Sequence, residues 1–188
     1  MQIIELFKHP LAKIILNEDL ELLLNFCLEI KKQTKCRELS NVGGFQSEDI
    51  RSSLPPIKSL WKNITLHSNI FSKDIFKCKE NISINNLWIN INKYKDFNIV
   101  HDHPFSKISG VFYVKTPKNC GNIVFFNDSN IQNHIHANTI TEYNNYNSST
   151  WYMEPQENVL YLFPSWTKHY VRPNLSNEDR VSISFNLI

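Results

Sequence analysis

The feature that most narrows the folds open to this chain is a change of period. Up to Lys79 the apolar residues recur at helical spacing, and beyond it they alternate one in two almost to Ile188. Alternation over four to eight residues marks a half-buried strand. Alternating segments fall at 82–92, 98–103, 108–115, 122–127, 149–154, 158–163, 168–173 and 180–187. No helical stretch separates them, so an antiparallel two-sheet or closed structure is expected, and eight strands suit a jelly roll. Ahead of them, 17–33 places Leu20, Leu23, Leu24, Cys27, Leu28 and Ile30 near helical spacing. Asn17 can cap that helix, Glu18 and Asp19 sit at the positive end of its dipole, and Lys31 and Lys32 sit at the negative end. A second helix is expected from about Pro56 to Phe76. The fold class is thus mainly β with N-terminal helices (α+β). With no linker or repeat, 1–188 reads as one domain, helical over 1–79 and β over 80–188.

Composition excludes several alternatives. Hydrophobic residues make up 41% and charged residues 20%, a balance that disordered chains lack. Twenty basic against eighteen acidic residues give +2, and no stripe of Lys or Arg accompanies the aromatics, so no nucleic-acid partner is expected. Only four glycines occur, which argues against P-loops and Gly-rich dinucleotide folds. About two dozen asparagines supply turns instead. The four remaining glycines therefore mark places that require a positive φ or a close approach, with Gly110 set beside the site. Cys27, Cys36, Cys78 and Cys120 form no CxxC pair and read as free thiols. The N-terminal segment is interrupted by Lys8, His9 and Pro10, unlike a secretory leader, and no stretch is apolar enough to span a membrane. A cytoplasmic location is expected.

Two clusters carry chemistry. His101 and His103 lie two apart on an expected strand, so both face one side while Asp102 faces the other. His169 follows the turn Phe163-Pro164-Ser165-Trp166. Two ligands from one strand and one from a distant strand leave half of a metal's coordination sphere open, the arrangement of a non-haem Fe(II) site that activates dioxygen. Eleven residues past His169 stands Arg180, then Ser182, Ser184 and Asn186, alternating with Val181, Ile183, Phe185 and Leu187. A cation and three hydrogen-bonding groups on one face of a strand need an anion if that face is buried. Arg180 with Ser182 describes a receptor for a carboxylate. The second HxH, His134 and His136, lies in the Asn-rich loop 128–148 with no third ligand at strand spacing.

The quoted motifs His101-Asp102-His103-Pro104, Ser109-Gly110-Val111-Phe112-Tyr113, Phe163-Pro164-Ser165-Trp166 with His169, and Arg180-Val181-Ser182-Ile183-Ser184-Phe185-Asn186 resemble those of the Fe(II)- and 2-oxoglutarate-dependent oxygenases. The likeness extends to the loop 40–47 and to the strand holding Trp88 and Asn90. The resemblance implies a double-stranded β-helix, a cupin-like jelly roll, with two helices packed on its major sheet. It implies Fe(II) held by His101, His103 and His169, with Arg180, Ser182 and Tyr113 binding the cosubstrate 2-oxoglutarate. Asn90, Asn98, Trp166 and Asn186 are candidate pocket residues. O2 would be the second cosubstrate, and the implied reaction is hydroxylation with release of succinate and CO2. One departure is informative: most members read HxD or HxE, and position 103 is His. Asp102 stays open as a ligand or as a partner orienting one.

A cupin-like protein that binds a metal or small molecule without turnover shares HxH and a later histidine. Lys107 stands where a cupin places a glutamate, and Pro164-Ser165-Trp166 lacks the glycine of the second cupin motif. A jelly-roll assembly protein would leave Arg180 and the histidines without a task. The prime substrate has no readable code, because in this superfamily substrate choice lies in loops such as 128–148. A homodimer through the N-terminal helices is equally open.

Overall fold

The computed structural model describes residues 1–6, 9–51, 54–129 and 131–188. Lys8 of the interrupted N-terminal segment and Asn130 of the 128–148 loop lie outside the described residues. In chain order the elements are strand β1 (Ala12–Ile15), helix α1 (Leu20–Gln33), strands β2 (Asn41–Val42) and β3 (Phe45–Gln46), helix α2 (Lys58–Phe76), and strands β4 (Ile84–Asn92), β5 (Phe97–His101), β6 (Ile108–Lys115), β7 (Ile123–Phe126), β8 (Thr150–Met153), β9 (Val159–Pro164), β10 (His169–Val171) and β11 (Arg180–Leu187).

The strands form two antiparallel sheets: six in the order β1-β9-β6-β11-β4-β3 and five in the order β2-β5-β10-β7-β8. The expected jelly roll with two helices on its larger sheet is what the chain adopts, with differences in detail. All eight expected strands are present. Three short ones join them from the N-terminal part: β1 extends the larger sheet along β9, β2 pairs with β5, and β3 pairs with β4. Residues 41–46 therefore cross from one sheet to the other. The cap of α1 is Asp19 rather than Asn17; its carboxylate accepts the Leu22 N–H at 3.0 Å. Helix α2 begins after a 3-10 turn at Pro55–Ile57 and ends where Lys77 turns left-handed, at φ 54°.

Strand alternation sorts residues between two cores. On the helix side, Leu23 and Cys27 of α1 and Leu60, Ile64 and Phe71 of α2 pack with Ile89, Ile91, Phe112, Val181, Ile183 and Phe185. Burying each large apolar side chain contributes on the order of 2 kcal/mol. Between the sheets lie Val111, Tyr113, Ile123, Phe125, Val159, Tyr161 and Phe163. That second layer is thinner, and the polar face of β11 opens into it.

Gly110 shows how closely the larger sheet and its core fit. A Cβ there would lie 2.4 Å from the ring of Phe185 and 2.5 Å from the Tyr161 carbonyl oxygen. The ring has limited room to shift and the carbonyl belongs to the next strand, so the missing side chain serves the fold's packing even though the Gly110 backbone lines the cavity below. Gly110→Ala is expected to cost roughly 3 kcal/mol, the upper end of overpacking penalties. The measurement is the urea midpoint of the purified variant, and a midpoint equal to wild type would show that the strands can part at no cost.

Candidate metal and cosubstrate site

Two of the three histidines stand on neighbouring strands of the smaller sheet. His169 opens β10 and is the direct cross-strand partner of His101 at the end of β5. Strand β5 stops at His101, so His103 is on the following loop rather than on the expected strand. Its backbone N–H donates to the Ser165 carbonyl at 2.9 Å, which ties that loop to the turn preceding His169. The ligand-capable atoms of the three side chains all lie within 4.8 Å of one another. Three donors bound at about 2.1 Å to one ion lie roughly 3.0–3.6 Å apart, so the cluster as it stands is somewhat wider than a coordinated set and the rings must draw together to close on a metal. Asp102 is exposed and outside this cluster.

Hydrogen bonds prepare two of the rings for coordination. His101 Nδ1 lies 2.7 Å from the Ile99 carbonyl oxygen, and His169 Nδ1 lies 2.9 Å from that of Thr167. A carbonyl only accepts, so each Nδ1 carries the proton and each Nε2 keeps its lone pair for a metal. Burial lowers all three pKa values. His103 is pushed down to about 4 by desolvation and by His101, and His169 to about 3 by the same two causes. His101 is lowered by burial, partly offset by its bond to Ile99 and by Asp102. Three neutral imidazoles on one face suit a first-row divalent ion such as Fe(II).

These depressed values carry a consequence for stability. A free histidine titrates near 6.5, whereas the folded chain refuses the proton until about pH 4 at His103 and about pH 3 at His169. Below pH 6.5 the unfolded chain therefore binds more protons, and stability falls with pH. The metal-free protein is expected to keep this contribution above about pH 6.5 and to lose it progressively toward pH 4. Urea midpoints at pH 7.5, 6 and 5 would check this, and a flat series would contradict it.

Arg180 stands at the start of β11, opposite Asn92, and is almost fully buried. Its Nη1 donates to the carbonyl oxygens of Cys120 at 2.5 Å, Gly121 at 3.1 Å and Arg172 at 3.4 Å. All three bonds leave from one nitrogen, and among the described residues Arg180 forms no ion pair. Gly121 makes this convergence feasible: its φ is +88°, and a Cβ there would lie 2.2 Å from the Arg172 carbonyl oxygen. Ser182 lies between Asn90 of β4 and Tyr113 of β6, where the β6 pairing carries a bulge. Bulges re-aim side chains beside functional sites. Neither the Ser182 hydroxyl nor that of Tyr113 has a protein hydrogen-bond partner among the described residues. Burial raises the Tyr113 pKa far above its usual value, so the phenol stays protonated and can donate.

One cleft of about 510 Å³, counted out to its mouth, joins these groups. His101, His103 and His169 line it together with Arg180, Ser182 and Tyr113, and Asn90 and Asn98 stand on its wall. Asn90 Nδ2 donates to Ser184 Oγ at 3.0 Å and Asn98 Nδ2 to Ser40 Oγ at 3.1 Å. Two candidate pocket residues stand elsewhere. Trp166 is 55% exposed and packs edge-on against Phe76. Asn186 accepts from Ser109 Oγ, which also meets Ser165 Oγ, in a buried chain that braces the turn ahead of His169. Ser184, placed by the period-two spacing on the same face as Arg180 and Ser182, also lines the cleft, whereas sequence reasoning missed Ser40 and Asn92. The same spacing could have found Asn92 beside Asn90; Ser40 lies on a loop with no period. His134 and His136 are exposed and outside the histidine cluster.

Among the described residues no helix is long and apolar enough to cross a membrane. No curated protein sequence matches this chain. Several solved structures share its fold. A prolyl-4-hydroxylase from Pseudomonas putida superposes with a TM-score of 0.69 at 14% identity, covering 95% of this chain and 92% of its own. A viral collagen prolyl hydroxylase from Paramecium Bursaria Chlorella virus-1, solved with 2-oxoglutarate, gives 0.62 at 12% identity with 94% of both chains covered. HygX from Streptomyces hygroscopicus, solved with nickel and 2-oxoglutarate, gives 0.64 at 9% identity, covering 94% of this chain and 82% of its own. The family described as "Putative 2OG-Fe(II) oxygenase" matches residues 86–186. That span holds the three histidines and the Arg180 strand and makes up more than half of the sequence, and on it the chain belongs to the 2OG-Fe(II) oxygenase family.

Proposed function

We propose that the protein is a 2-oxoglutarate-dependent hydroxylase whose metal is held by His101, His103 and His169. The observation that carries this reading is that one cleft joins three neutral imidazoles to a buried arginine lacking a carboxylate partner. Iron and 2-oxoglutarate bound there supply an oxidant for a C–H bond, with one atom of O2 going to the product, the other to succinate, and CO2 released. The chain's own residues bind and orient. Arg180 and Ser182 receive the far carboxylate of the cosubstrate, and Tyr113, kept protonated by burial, donates a further hydrogen bond to it. Asn90 and Asn98, each anchored to a serine, present fixed amides to the cleft wall. Val111, Ile123, Phe163 and Val171 keep water from the remaining wall. No side chain has to transfer a proton in this scheme.

Hydroxylation is one outcome among those known for this fold, since an epimerase and a carbocyclase from nogalamycin biosynthesis share it. The test is anaerobic addition of Fe(II) and 2-oxoglutarate, followed by oxygen. The expected results are a weak visible charge-transfer band, then succinate formation that rises with a cognate substrate and incorporates one atom of labelled O2 into it. A protein that retains Fe(II) but shows no band and no affinity for 2-oxoglutarate would overturn the assignment.

A further inference from the structure

The metal cleft leaves little room for a third molecule. Of its 510 Å³, counted out to the mouth, about 50 Å³ can admit the centre of a water molecule. Beside it lies a second chamber of about 970 Å³ by that stricter measure, at the upper end of the roughly 300–1,000 Å³ usual for small-molecule sites. Strands β7 and β8, the described residues from Ile3 to Leu11 and both ends of the 128–148 loop line it. The two spaces share a wall, because Phe163 lines both. Its ring meets that of Phe125 edge-on at 5.0 Å, and these two rings stand 4.8 and 5.9 Å from the ring of His169.

The chamber is apolar and unfilled. Ile3, Ile4 and Leu6 line it while 65–72% exposed, and Trp151 while 48% exposed. Concave apolar surface left open in this way marks a binding site. Among the described residues no lysine or arginine lines it, and the Glu5 carboxylate accepts a hydrogen bond from the Tyr146 hydroxyl at 2.6 Å. Two polar groups on its wall stand out. Ser148 and Thr167 are each more than nine-tenths buried, and neither hydroxyl has a hydrogen-bond partner among the described residues. They flank the end of β7, where Phe126 N–H donates to the Lys168 carbonyl and Asn127 N–H to the Ser149 carbonyl, both at 2.9 Å. Buried hydroxyls are normally paired, so two orphans side by side leave places for a ligand's polar atoms.

We infer that this chamber seats the prime substrate, and that the substrate is an uncharged, largely apolar small molecule whose polar end meets the hydroxyls of Ser148 and Thr167. The inference rests on the hydroxylase reading above and narrows its substrate class. A charged group would enter apolar surroundings without a partner. A polypeptide would bring a run of amides that two hydroxyls cannot satisfy. A molecule in the chamber lies against rings that touch His169, on the metal's side of the sheet.

The test uses three fluorinated naphthalenes of similar size: neutral 6-fluoro-2-naphthol, anionic 6-fluoro-2-naphthoate and cationic (6-fluoro-2-naphthyl)methylammonium. Each is titrated by fluorine NMR against protein saturated with 2-oxoglutarate and Zn(II), then with Mn(II) in place of Zn(II), because the unpaired electrons of Mn(II) broaden nearby resonances. The naphthol should bind at least about tenfold more tightly than either ion, and Mn(II) should broaden its bound signal. The double variant Ser148→Ala/Thr167→Val should weaken the naphthol about tenfold and leave 2-fluoronaphthalene, which lacks the hydroxyl, within about threefold. Ser148→Ala alone, with about a threefold loss, replaces it if the thermal melt shows the double variant unfolded. Thr150→Trp, placed on the exposed rim of the chamber, should weaken both neutral probes at least about tenfold by filling it. Absence of naphthol binding, equal binding of an ion, a signal that Mn(II) leaves sharp, or undiminished binding to folded Thr150→Trp overturns the inference. So does an unstructured polypeptide that raises succinate formation equally in wild type and Thr150→Trp. Failure of 2-oxoglutarate itself to bind the Mn(II)-loaded wild type, read by calorimetry, overturns the hydroxylase reading instead.

Discussion

Arg180→Ala is expected to weaken 2-oxoglutarate binding on the order of a thousandfold while the protein still takes up Mn(II). Removing one partner of a buried, hydrogen-bonded ion pair costs about 3–5 kcal/mol, or two to three and a half decades of affinity. The geometry explains why no neighbour can substitute. Lys115 is engaged with Glu178 at 2.8 Å, and among the described residues no lysine or arginine other than Arg180 lines the cleft. Stability is the poorer readout for this variant. Alanine leaves the Cys120 and Gly121 carbonyls without their donor, at about 1–3 kcal/mol each, but it also removes a buried cation that has no carboxylate partner. Those terms oppose, whereas the affinity change has one sign. Arg180→Lys sharpens the test, because it keeps the charge and loses the planar fork; about a tenfold loss is expected. Calorimetry in the presence of saturating Mn(II) measures all three proteins. Unchanged 2-oxoglutarate affinity in Arg180→Ala would show that the arginine only braces the turn at Cys120 and Gly121.

His103→Ala should reduce metal affinity by a hundredfold or more, and Asp102→Ala should leave it within about threefold. Loss of a group that merely orients a ligand typically costs 10- to 100-fold, so loss of a ligand itself should exceed that. The contrast between adjacent residues is the useful part. His103 is half-buried, with its ring 5.2 Å from that of His169 and 5.9 Å from that of Trp88. Asp102 is exposed and is not a member of the cluster. Metal content after dialysis against Mn(II), read by atomic absorption, decides between them. A metal-free Asp102→Ala protein beside a metal-retaining His103→Ala protein would reverse the ligand assignment.

The strands with the cleanest alternation were the most legible. β6 and β11 fall at 108–115 and 180–187 as the pattern predicts, because each has one face against the helices and the other between the sheets. The inward placement of the polar row on β11 was readable for the same reason: Val181 and Ile183 fix the helix-facing side, and Arg180 and Ser182 must then face the cleft. Strands β2 and β3 are two residues each, too short for any period, and they exist because β5 and β4 offer edges to pair with. Strand β1 sits in a stretch that reads as an interrupted apolar segment, and its partner β9 lies far along the chain. The carbonyls that hold Arg180 could not be foreseen, since any residue supplies a carbonyl and only the turn through Gly121 brings these three together. His103 was legible as a ligand candidate but not as a loop residue, because its place depends on a backbone bond to Ser165.

The position of β11 has a consequence for how the molecule is made. It follows every other strand in sequence, yet it lies at the heart of the larger sheet, between β6 and β4. Until residues 180–187 have left the ribosome, β4 and β6 each present an unpaired edge with an apolar row beside it, Leu87, Ile89 and Ile91 on one and Ile108, Phe112 and Val114 on the other. Such edges are templates for pairing with other chains. The strand that closes them also carries Arg180 and Ser182. A product interrupted before Arg180 would lack this half of the cleft as well as the strand that seals the sheet, so failed synthesis is marked by stickiness and not by misdirected chemistry.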